Sequence, residues 1–129
     1  GKFKRPFHFV VSALRATNAE TDASKALVDY LVRLGHAPFR YATPDGYPEA
    51  ASHWQSSLLW RWNFACALVG NGIKGTSIAG EELRERLGGD EGLMATVLGR
   101  QASDAEREAY HESGSGLALL LASPAFQYC

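Results

Sequence analysis

The stretch LLWRWNFACALVG, Leu58 to Gly70, constrains the fold more than any other part of the chain. It is apolar on nearly every side, so as a helix it has to be enclosed by neighbours on two flanks. On a helical wheel Leu58, Leu59, Trp62, Ala65, Cys66 and Val69 occupy one sector, while Trp60, Phe64, Ala67 and Leu68 fill most of the opposite side. Arg61 and Asn63 fall in the two seams between these sectors. A buried amide without a partner costs roughly 1–3 kcal/mol, and an unpaired charge costs more. Both groups are therefore expected to be satisfied. Arg61 is expected to reach outward along its seam or to pair with a carboxylate such as Asp45 or Glu49. Asn63 is expected to tie the preceding loop to the core.

The rest of the chain reads as helices arranged around that element. Pro6 suits the first turn of a helix, where its missing N–H has no partner to lose. Phe7, Val10, Val11 and Leu14 then recur at helical spacing as one apolar stripe, with His8, Ser12 and Arg15 on another face. Thr21 or Asp22 is expected to cap a second helix lined by Ala23, Leu27, Tyr30, Leu31 and Leu34 and ended at Gly35. Residues 36–48, punctuated by Pro38, Pro44, Gly46 and Pro48, read as a long ordered loop with a tight turn at Pro44–Gly46. Glu49 to Trp54 reads as a short helix, with Ser56 or Ser57 capping the apolar one.

Beyond Asn71 and Gly72 comes a polar connector, Gly75 to Gly80. Two shorter helices follow, Glu81 to Leu87 and Glu91 to Leu98, parted at Gly88 and Gly89. Ser103 with Glu106 has the spacing of a capping box and opens a helix through Tyr110. The run LALLLAS is a buried helix stopped by Pro124, after which Phe126 serves as an apolar anchor. The expected fold is all-α: a compact orthogonal bundle of six or seven helices around the Trp-rich helix Leu58 to Val69, in a single domain of residues 1–129.

Thirteen basic residues against fourteen acidic ones give a net charge of −1. That balance supplies no broad positive field, so nucleic acid is not an expected partner. No apolar run approaches the roughly 20 residues of a membrane span. Cys66 and Cys129 are read as free thiols. Neither has a cysteine or histidine at zinc-ligand spacing, and His8, His36, His53 and His111 are scattered, so neither a metal nor a cofactor is expected.

Two groupings invite a functional reading. His8 and Ser12 stand one helical turn apart, but a nucleophile needs a third group to orient the base and an oxyanion site, and the sequence identifies neither. A solvated face or a domain contact is the preferred reading there. The second grouping is the aromatic segment 39–54. Tyr41, Tyr47, His53 and Trp54 could rim a pocket beside Arg61, with Asp45 and Glu49 as its acids, a mixture that suits carbohydrate or peptide binding. The competing reading has the rings covering the core helix and the acids neutralising Arg61. The charge-rich run Glu81 to Arg86 reads as a solvated helix face.

Three landmarks in order, KRPFHFVVSALRAT, PDGYP followed by RWNFACAL, and LALLLASPAFQ, span the chain. Together they resemble the C-terminal part of the bacterial "domain of unknown function 1800" family of exported proteins. The resemblance implies export to the periplasm or beyond, and a chain that is the C-terminal portion of a longer protein. It carries no catalytic residues. Where that family usually reads PFEF this chain has His8, and where it reads SPEF this chain has Ala125. The function expected is a noncatalytic helical structural or interaction module that packs against the upstream part of the same protein or a protein partner. The alternative is part of a hydrolase-like or carbohydrate-binding site completed by upstream residues, with segment 39–54 as one wall.

Overall fold

Pro6 stands at the first position of α1 (Pro6–Ala16), preceded by an extended Arg5. This computed structural model describes the backbone of residues 3–40 and 47–128 and the side chains of residues 3–34 and 58–128. Of the stripe expected on α1, Val10 is buried and Leu14 is partly so, but Phe7 is 69% exposed; Phe9, Val10 and Ala13 form the buried face. Apolar residues at 7, 9, 10 and 11 cover too much of the helix circumference to mark one stripe. Phe9 is chosen because its ring meets Phe64 and Phe126 edge to face at 5.8 and 6.1 Å.

Residues 17–24 hold a feature absent from the sequence reading. Glu20–Thr21 (β1) pairs antiparallel with Thr76–Ser77 (β2), with Thr21 opposite Thr76 and their hydroxyls 2.6 Å apart. The polar connector is thus half of a small two-strand ribbon. Thr21 and Asp22 do not cap the next helix. Their side chains accept from the N–H groups of Ala23 and Ser24 and build a turn. The carbonyl of Ser24 then receives the first helical bonds, from Leu27 and Val28.

The second helix, α2 (Lys25–Arg40), runs on through Gly35 and Pro38. The third, α3 (Tyr47–Val69), begins next to Pro48 and is continuous across the expected break before Ser56. Most of the expected loop 36–48 is therefore helix. The turn expected at Pro44–Gly46 lies outside the described residues. Helix-breaking residues are a weak prior that tertiary context overrides, and here the context is the packing of α2 along α3. Tyr30 lies edge to face with both Trp60 and Phe64, and Leu34 is fully buried.

At the end of α3, Asn71 takes a left-handed conformation, φ 57°. Its carboxamide grips Ile78 from both sides, accepting from the Ile78 N–H at 2.7 Å and donating to the Ile78 carbonyl at 3.1 Å. The chain continues through α4 (Gly80–Arg86), α5 (Gly89–Leu98) and α6 (Asp104–Glu112), the last opened by the complete Ser103/Glu106 capping box. Pro124 does stop α7 (Gly116–Ala122), but it also starts one more turn, α8 (Pro124–Gln127), which buries Phe126. The architecture is mainly α-helical, with eight helices among the described residues and α3 held between α2 and α7.

Candidate functional site

The buried side of α3 is not the one that apolar sectors suggest. Phe64, Ala65 and Leu68 are buried, and the residue completing their i, i+3, i+4, i+7 stripe is Arg61, only 2% exposed. Arg61 therefore sits in the middle of the core face rather than in a seam. Leu58, Leu59 and Trp62 point away from the core and are 37%, 58% and 38% exposed. Asn63 is half-buried, and the loop backbone expected to meet it lies largely outside the described residues.

Arg61 joins the two ends of the described chain. Its Nη1 donates to Gln127 Oε1 at 2.8 Å and its Nη2 donates to the Lys4 carbonyl at 2.5 Å. The guanidinium lies between the rings of Phe3 and Phe9, with Cζ 4.1 and 5.0 Å from their centroids. The Lys4 N–H donates to the Gln127 carbonyl, and Phe3 bridges to Tyr128 with their rings edge to face at 5.5 Å. Gln127 is itself oriented by donating from Nε2 to the Leu121 carbonyl.

The carboxylates expected to pair with Arg61, Asp45 and Glu49, lie outside the residues whose side chains are described. Among the described residues its partners are a carbonyl and a carboxamide, both neutral. The Nε–H is buried with no hydrogen-bond partner among the described residues. Removal from water without a counter-charge pulls the guanidinium down to about 10 from its ordinary 12.5, still well above neutral pH. The reason is compositional: α1, α7 and α8 contain no Asp or Glu, nor do residues 58–69 of α3. The described ion pairs all involve other residues, such as Arg100 with Glu106 and Arg107 with Glu91.

Above Arg61 lies a mainly apolar groove of about 440 Å³. Leu58 and Trp62 of α3 form one wall, Leu119 and Ala122 of α7 with Pro124 the other, and Phe3 and Tyr128 close an end. Arg61 and Gln127, each 2% exposed, form the floor beneath a rim of far more exposed side chains. A second, polar cleft of about 300 Å³ lies beside the ribbon and is lined by Glu20, Glu82 and Arg86 among others. It is a solvated surface of the kind the charge-rich run on α4 was expected to give.

Of the residues in the aromatic pocket reading, Arg61 is the one whose side chain is described. Tyr41 and Asp45 lie outside the described residues. Glu49, His53 and Trp54 are helical as expected, in the first turns of α3, and Tyr47 joins them there instead of lying in the loop; the side chains of all four lie outside the described residues. His8 and Arg15 are exposed on α1, as a solvated face requires. Cys66 is a free, half-buried thiol with its pKa raised by burial, while Cys129 lies outside the described residues. No group of three or more potential metal ligands occurs among the described residues. No described helix is long and apolar enough to cross a membrane. Sequence reasoning missed Gln127 and Lys4 as partners of Arg61. The readable signal was the lack of acids on the elements that surround it.

The fold and groove define a mainly α-helical module whose most distinctive surface is an apolar channel over a buried cation. The chain belongs to the family described as "Protein of unknown function (DUF1800)", whose model matches residues 1–128. No curated protein and no solved structure matches it.

Proposed function

We propose that the chain is a noncatalytic interaction module of an exported bacterial protein, packing against the upstream part of that protein or against a protein partner. The observation that carries this reading is the outward side of α3. Leu58, Leu59 and Trp62 are exposed there, and Leu58 and Trp62 line the groove together with Phe3, Pro124 and Tyr128. Contiguous apolar surface of this kind, rimmed by more polar surface, marks interaction sites on folded proteins. Tryptophan at its centre is the residue type most often found to carry binding energy. The export setting rests on the family resemblance.

The test is side-chain footprinting of the full-length protein. Phe7, 69% exposed on α1 and away from the groove, is the internal reference. Trp62 and Leu59 are expected to be labelled far less, relative to Phe7, than their exposure in this chain predicts. Labelling in proportion to those exposures, in the full-length protein and in cell extract, would refute the docking role.

A further inference from the structure

We infer that the segment docking in the groove carries a carboxylate, an Asp or Glu side chain flanked by apolar residues, and that this carboxylate pairs with Arg61. The inference rests on the docking reading above and names the chemistry of its occupant.

The argument is one of charge complementarity. Arg61 is a cation taken out of water, and such a group is ordinarily matched by an anion. α1, α7, α8 and residues 58–69 of α3 supply none, and the two acceptors it has among the described residues are neutral. Two of its five N–H donors are used, and the Nε–H is buried and unpaired. A planar guanidinium fork with vacant donors fits a carboxylate in bidentate fashion, which an ammonium does not. Its position beneath an apolar groove dictates the rest of the occupant: apolar groups against Trp62 and Leu119, with the acid reaching down between them. The Phe3 ring, 4.1 Å over the guanidinium, is the part of the lining that must yield for the acid to reach Nε.

Gln127 offers a way to satisfy the cation from within. Its Oε1 already lies 2.8 Å from Nη1, so Gln127→Glu places a carboxylate on Arg61 without enlarging the side chain. The incoming acid then meets a neutralised site and a like charge.

The experiment uses the full-length protein, with folding of each variant checked by circular dichroism. In Arg61→Met and in Gln127→Glu the protection of Trp62 in footprinting is expected to be lost, because both make the site one unit less positive, the first by removing the cation and the second by neutralising it from within. In Arg61→Lys, a carbodiimide that joins amines to carboxylates without a spacer is expected to link the introduced amine to one Asp or Glu outside residues 1–128. Mass spectrometry of the linked peptide then identifies the occupant. If Trp62 is protected in the wild type and stays protected in Arg61→Met and Gln127→Glu, the acid is refuted while the docking role stands. If Trp62 is unprotected in the wild type both in the purified full-length protein and in cell extract, the docking role fails and the acid with it. A link only to acids within residues 1–128 also overturns the inference.

Discussion

Gly92, in the first turns of α5, gives the sharpest quantitative prediction. An alanine in a helix is ordinarily better than glycine by about 1 kcal/mol, so propensity alone predicts that Gly92→Ala stabilises. The structure reverses that sign. A Cβ at Gly92 would stand 2.6 Å from the carbonyl carbon of Leu87, and closer still to its oxygen. The obstacle is backbone, at the turn where α4 passes into α5, and cannot rotate away as a side chain could. Relief requires α5 to move off Leu87, disturbing Leu93 and Met94, which are 2% and 0% exposed. Overpacking of a core by a single carbon costs about 1–3 kcal/mol. With a rigid obstacle the upper end applies, and less the propensity gain it leaves a net loss of about 2 kcal/mol.

Gly88 is the matched control. A Cβ there meets nothing within 4 Å, but φ is +96°, so Gly88→Ala bears only the conformational penalty of about 1–2 kcal/mol. Urea unfolding followed by helical circular dichroism measures both. With a slope of about 2 kcal/mol per molar, Gly92→Ala should lower the midpoint by about 1 M. A Gly92→Ala variant as stable as the wild type, or more so, would refute the reasoning.

Two further outcomes follow from the polar contacts. Glu106 is held down to about 2 first by its side-chain bond to Arg100 and then by the Ser103 N–H. A carboxylate lowered on folding contributes stability above its ordinary 4.5 and loses it as pH falls from there toward about 2. The stability difference between wild type and Glu106→Gln in thermal unfolding should therefore be full at pH 7 and shrink below 4.5; a pH-independent difference would contradict the bond to Arg100. Asn71→Ala removes both bonds to Ile78 and leaves a non-glycine residue at φ 57° without its local support. It should cost about 2 kcal/mol in chemical unfolding and raise amide exchange at Ile78 and Thr76.

Some of this molecule was legible in the amino-acid order because its causes are local. Pro6 opens a helix since it has no N–H to lose there, Ser103 and Glu106 cap reciprocally over three residues, and Gly88–Gly89 interrupts the helices on either side. Phe126 was recognisable as an anchor because little else at that end is large and apolar. What failed involved a choice among equivalent local options. Gly35 and Pro38 signal a stop, yet α2 continues through both to Arg40, because local propensity does not register that α2 is paired with α3. Strands of two residues, Glu20–Thr21 and Thr76–Ser77, have no alternation to read, and their pairing joins positions 55 residues apart.

The same division runs through the candidate site. By itself the sequence determined that the second half of α3 is apolar on nearly all sides, that one arginine lies within it, and that residues 58–69, α1, α7 and α8 hold no acid. Those are matters of composition and helical period. Only tertiary structure decided which side of α3 faces inward. Burial is set by which partners reach a surface, and Phe9, Tyr30 and Leu121 reach the side bearing Phe64 and Leu68. That choice carries Arg61 into the interior between Lys4 and Gln127, residues remote from it in the chain, and leaves Trp62 facing out.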